Sequence, residues 1–148
     1  MTPYADTSFY GSLLEFSSNP RTAEAKAWMS ANTEPIILSR LNEMEIRTVL
    51  HRCETYKTLP RAKILKAWAA FENLVARKVL VLHNEATADE IYDEAKQVLK
   101  DASKESGKSL DVMHLAYARR YQADTILTFD KQQNKLAGHI GLTVPMPV

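Results

Sequence analysis

The chain has 148 residues, 45% hydrophobic and 25% charged, with four glycines and six prolines. That balance predicts one globular domain over residues 1–148 and excludes a disordered, collagen-like or low-complexity chain. The net charge of +1 decides nothing about a nucleic-acid partner, while the single cysteine, Cys53, excludes an internal disulfide framework and fits a reducing compartment.

In chain order, Thr2 to Ala5 can form a short strand, followed by Asp6 and a mostly apolar run through Phe9, Tyr10, Leu13, Leu14 and Phe16. Asn19-Pro20 breaks the chain, and Thr22 to Ala31 predicts an alanine-rich helix carrying Trp28 and Met29. Pro35 to Ser39 is an apolar run bounded by proline and serine, which predicts a buried parallel strand. Helical spacing resumes at Leu41, Met44, Ile46, Val49 and Leu50. The clearest helix follows Pro60, with Ile64, Leu65, Trp68, Phe71, Leu74 and Val75 on three-four spacing. Val79 to Leu82 suits a short edge strand. A helix from about Thr87 has Asp89 and Glu90 in its first turn and a stripe of Ile91, Ala95, Val98 and Leu99. After Gly107, Asp111 opens a central helix to Tyr121, Thr125 to Phe129 is rich in β-formers, and Leu142 to Val144 predicts a last strand closed by Pro145. Strands separated by helices predict an α/β fold with a central, mostly parallel sheet and helices on both faces.

The sequence opens Met-Thr-Pro-Tyr-Ala-Asp, without the basic and apolar regions of a signal peptide, and no run approaches the ~18 apolar residues of a membrane span. A cytoplasmic protein without membrane attachment is expected. Charge is uneven: Ile36 to Leu80 holds nine basic and four acidic residues, a local net of +5, and Asn84 to Asp111 holds eight acidic and four basic, a net of −4. That asymmetry permits a phosphate-facing side and an acidic outer side.

Ligands collect at the carboxyl ends of parallel strands. Asp6 follows the first predicted strand and Asp130 follows Ile126-Leu127-Thr128-Phe129. Asp111 lies at a helix N-terminus, which favours an ionised carboxylate, and Glu45 lies early in the helix after Ile36 to Leu38. Taken singly, Asp111 is a plausible helix cap and Asp130 a turn former; together the four can converge at one end of the sheet. Carboxylates held close together raise one another's pKa, and a divalent cation resolves the conflict by keeping them ionised. All-oxygen donors select a hard ion, Mg²⁺ or Mn²⁺. Such a site suits phosphodiester hydrolysis by a metal-activated water.

Tyr4-Ala5-Asp6-Thr7-Ser8, the Glu45 helix, Asp111-Val112-Met113-His114-Leu115-Ala116 and Leu127-Thr128-Phe129-Asp130 resemble the four motifs of PIN-domain ribonucleases, and most closely the VapC-type toxins of toxin–antitoxin pairs. The resemblance runs from Tyr4 to Leu142. It implies a PIN-like three-layer α/β/α sandwich whose acidic cluster of Asp6, Glu45, Asp111 and Asp130 binds Mg²⁺ or Mn²⁺ and cleaves RNA. It also implies a homodimer and a small antitoxin partner, with an apolar groove beside Arg61 to Val75 as the place to receive an inhibitor's helix. Glu43 competes with Glu45, because two residues apart on a helix they point about 200° from each other; the family spacing from Ser39 selects Glu45. His114, without other histidines or cysteines at ligand spacing, is expected to pack, hydrogen-bond and position the acidic motif. Thr128 and Thr7, or Ser8, can steady the site through their hydroxyls. Trp28 and Trp68 are expected in the core or an interface. A phosphotransferase of the haloacid dehalogenase type needs a second acid at position 8, which is Ser8, and a receiver domain needs an acidic pair that is absent. The remaining alternative is a non-catalytic PIN-like module that binds RNA or protein.

Overall fold

A computed structural model describes residues 1–18 and 20–146. Its elements run β1 (Pro3–Ala5), α1 (Thr7–Leu13), α2 (Thr22–Ala31), β2 (Ile36–Leu38), α3 (Arg40–Thr55), α4 (Arg61–Ala76), β3 (Leu80–Leu82), α5 (Ala88–Ala102), α6 (Ser109–Arg120), β4 (Thr125–Leu127) and α7 (Lys131–His139). The four strands pair in the order β3-β2-β1-β4, every pair parallel. The chain builds outward from β1 through β2 to β3 and then returns to add β4 on the other side of β1. The strand order therefore reverses at β1, and the crevice at its carboxyl end is where such sheets hold ligands.

Alternation along the strands explains the three layers. Ala5, Ile36, Leu38, Leu80 and Leu127 face one way, packing with Phe9, Ile46, Leu50 and Phe71 from α1, α3 and α4. Tyr4, Ile37 and Ile126 face the other way, against Ile91, Val98, Leu115 and Leu136 from α5, α6 and α7. The result is the expected α/β/α sandwich. Among the described residues no helix is long and apolar enough to cross a membrane.

Several local expectations are corrected. Residues 142–144 form no strand: a lone parallel bridge joins Thr143 to Thr125, and Pro145 lacks the N–H that would extend it. The segment after Asp130, polar and containing Gly138, folds as α7, which buries only Gln133, Leu136 and Ala137. The α5 stripe is completed by Ala102, leaving Leu99 exposed, and α4 turns Leu65 outward. Trp28 packs edge-on against Phe9, and Trp68 lies beside Phe71 under Arg47. Leu14, Glu15, Lys63 and Lys66 line a hollow of about 40 Å³, and an apolar groove of about 710 Å³ lies between α5, α6 and the start of α3. The acidic side is partly neutralised, since Arg119 bonds Glu94 and Asp101 and Arg120 pairs with Glu90. The break expected at Asn19-Pro20 falls partly outside the described residues.

Candidate active site

The carboxyl end of the sheet opens into a cleft of about 670 Å³ lined by Asp6, Glu45, Asp111 and Asp130, with Thr7, Ser8, Lys108 and His114 among the remaining walls. Each acid arrives by a different local device. Asp6 follows β1 directly and is also the N-cap of α1: Oδ1 accepts from the Ser8 N–H at 3.0 Å and the Phe9 N–H at 3.3 Å. The Ser8 hydroxyl donates to the same oxygen at 2.6 Å, and the Thr128 hydroxyl donates to Oδ2 at 2.6 Å. With only 5% of its surface exposed, Asp6 titrates above the usual carboxylate range. Burial raises it, and its hydrogen bonds with Ser8 and Thr128 pull back only part of the way.

Glu45 enters from the second turn of α3, which starts at an Ser39 cap: the Asn42 N–H donates to Ser39 Oγ, and Asn42 Oδ1 accepts from the Ser39 N–H. Glu45 Oε1 accepts from the Thr7 hydroxyl at 2.9 Å and from His114 Nε2. Its half-buried position raises its pKa, but the hydrogen bond and electrostatic pull of His114, with the Thr7 bond, outweigh burial and leave it below the usual value. Glu43 points elsewhere, with Arg40 at 4.0 Å.

Asp111 is in the first turn of α6 rather than at its cap; its Oδ2 accepts from the Lys108 N–H at 3.1 Å. Asp130 caps α7 through an Oδ1 bond from the Gln133 N–H at 2.8 Å. Two contacts draw these helix starts together. Gln133, fully buried, donates to the Asp111 carbonyl at 3.1 Å. Gly107 lies so near α7 that a Cβ there would stand 2.8 Å from Leu136 Cδ2. On the other side, the Thr128 hydroxyl accepts from the Asp130 N–H, and Ser8 Oγ accepts from the Phe129 N–H at 2.9 Å.

Thr7 and His114 thus each contact Glu45, and Thr128 contacts both Asp6 and Asp130. Tyr4, Ser39, Asn42, Gln133 and Lys108 were not singled out for the site from the sequence. The Ser39–Asn42 spacing of a capping box is a usable signal; Lys108 and Gln133 reach the acids through local N–H bonds three residues away, and Tyr4 reaches the site only through the tertiary fold.

Among the described residues, no three His, Cys, Asp or Glu side chains are arranged to hold a metal ion as they stand. The donor chemistry nevertheless fits a hard divalent cation. The bonds to Glu45, Asp111 and Asp130 each anchor one carboxylate oxygen of side chains that line the cleft, and Asp6 is a buried carboxylate whose ionised form a nearby cation would favour.

The model of the PIN domain family matches residues 4–139. The chain belongs to the PIN domain family. Its fold is similar to that of VapC20 from Mycobacterium tuberculosis, described as a sarcin-ricin loop cleaving toxin, with a TM-score of 0.63 and 17% identity over 89% of this chain and 92% of that one. It is also similar to FitAcB from Neisseria gonorrhoeae, with a TM-score of 0.62 and 17% identity over 97% and 96%. At that identity the likeness shows the PIN fold. No curated protein sequence matches significantly.

Proposed function

We propose that this PIN-domain protein is an endoribonuclease dependent on Mg²⁺ or Mn²⁺, acting as the toxin of a toxin–antitoxin pair. The observation that carries this is the shared cleft: the four acids matching the PIN motifs line one hollow at the sheet's switch point. Asp6, Glu45, Asp111 and Asp130 are the proposed ligands and catalytic residues. The bound cation supplies a water of lowered pKa and offsets charge on the phosphate. Asp6 and Glu45, held by Ser8, Thr128, Thr7 and His114, fix the floor of the site. Asp111 and Asp130 form its rim, and Lys108 brings a positive charge to the entering phosphate backbone. Single-domain organisation over 1–148, a homodimer, a small antitoxin and a cytoplasmic setting complete the proposal. The likeness to a toxin's fold supports the antitoxin, and the buried free thiol of Cys53 fits the cytoplasmic setting.

The test is cleavage of a labelled RNA pool with Mg²⁺ or Mn²⁺. Metal-dependent cleavage by the wild type, abolished by EDTA and by Asp6→Asn, is expected. Equal cleavage by wild type and variant would overturn the site, and RNA binding without any cleavage would favour the non-catalytic module. Failure to co-purify with a small neighbouring gene product would remove the toxin role alone.

A further inference from the structure

Behind Glu45 runs a buried hydrogen-bonded chain that crosses four elements. His114 on α6 is 3% exposed, and its Nε2 meets Glu45 Oε1. Its Nδ1 lies 2.7 Å from the hydroxyl of Tyr4, a fully buried residue of β1. That hydroxyl is 2.9 Å from Ser39 Oγ at the end of β2, and Ser39 is locked to Asn42, whose Nδ2 donates to the Ala5 carbonyl at 2.9 Å. The chain therefore begins and ends on backbone of the central sheet and the start of α3.

One proton arrangement of a neutral imidazole satisfies both of its contacts. A phenol with an ordinary pKa of about 10 keeps its proton at neutral pH. Donated to Nδ1, it leaves that nitrogen as acceptor and puts the ring proton on Nε2, which then donates to the carboxylate. The Thr7 hydroxyl donates to the same oxygen, so both bonds fall on Oε1 and neither takes Oε2.

We propose that Tyr4 and His114 are positioning residues for Glu45: the Ser39–Tyr4–His114 chain clamps Oε1 and so presents Oε2 to the cation. Outer-shell partners of this kind fix a ligand's orientation and typically change metal affinity or activity 10–100-fold when removed. This rests on Glu45 being a ligand, and the experiment separates the two.

Mn²⁺ affinity is measured by calorimetry without RNA, on wild type, Asp6→Asn, Tyr4→Phe, His114→Ala and His114→Gln. Tyr4→Phe removes one oxygen and keeps the packing, so it remains informative if His114→Ala fails to fold. Roughly 10–100-fold weaker binding is expected for His114→Ala, with a smaller loss in the same direction for Tyr4→Phe. His114→Gln, which retains a donor at the Nε2 reach, recovers most of the affinity. In cleavage assays kcat falls while KM for RNA stays. In the wild type, ¹⁵N shifts place the ring proton on Nε2 with Nδ1 bare. Wild-type affinity in both Tyr4→Phe and His114→Ala, beside a loss in Asp6→Asn, overturns the relay and leaves the metal site standing, as does a proton on Nδ1. Wild-type affinity in Asp6→Asn overturns the metal site and the relay with it.

Discussion

The two halves of the cleft are built on different principles. Besides the local cap that holds Asp6 Oδ1, Asp6 and Glu45 are held by side chains from distant parts of the chain: Thr128 bonds Asp6 across 122 positions, and His114 bonds Glu45 across 69. Asp111 and Asp130 are each held by a backbone N–H three residues away, within the first turn of their own helix. The floor is therefore as rigid as the core that supplies its partners, whereas the rim is as rigid as two helix starts near solvent. A floor substitution should change stability and chemistry together, and a rim substitution should change chemistry alone.

The strongest challenge to that contrast is Asp6→Asn. RNA cleavage should fall by roughly 10²–10³-fold, the scale of losing one group that stabilises transition-state charge. Its stability should move the other way. Between the ordinary value of 3.8 and the raised folded value, the folded state holds a proton that the unfolded chain has released. Wild-type stability therefore drops as pH rises through that window, and the variant should lack this drop in thermal unfolding across pH.

Thr128→Val keeps the side chain's size but leaves Asp6 Oδ2 without its donor. A loss of about 1–3 kcal/mol in denaturant unfolding is expected, together with roughly 10–100-fold lower activity. On the rim, Asp130→Asn should also lower cleavage, yet asparagine caps a helix as well as aspartate. Its unfolding free energy should stay within about 0.5 kcal/mol of wild type; a loss as large as that of Thr128→Val would erase the distinction between floor and rim. The smallest effect is expected from Glu45→Gln on acid stability. Glu45 titrates below its ordinary 4.5, so its contribution is present above that value and is lost as pH falls through the folded value. The variant's unfolding profile should be flatter on the acid side alone.

The contrast also explains how much could be read without a structure. Strands, strand ends and helix starts are local, so β1 with Asp6, β2 with Ser39, and the order of layers followed from alternation and spacing. Asp130 was legible as a strand-end acid, but the helix it caps was not, because Lys131 to Lys135 carry no apolar period and the first turn depends on Asp130 itself. Leu142 to Val144 had strand composition but found one bridge, because Thr143 meets only the start of β4. The Tyr4–His114 contact spans 110 positions, and nothing in the neighbourhood of either residue signals it. His114 could be given a packing role, but the partner on its far side could not be named.

One consequence concerns a chain still being made. Asp6 is synthesised early, but its Oδ2 partner Thr128 and the rim residue Asp130 come 122 and 124 positions later. Pairing of such distant segments waits on closure of a loop that spans 122 positions. A nascent chain halted before β4 holds Asp6 and Glu45 but has neither the sheet's fourth strand nor a finished cleft. For a protein proposed to cut RNA, the topology thus delays the hazard: until β4 and Asp130 have been made there is no finished cleft to cut with.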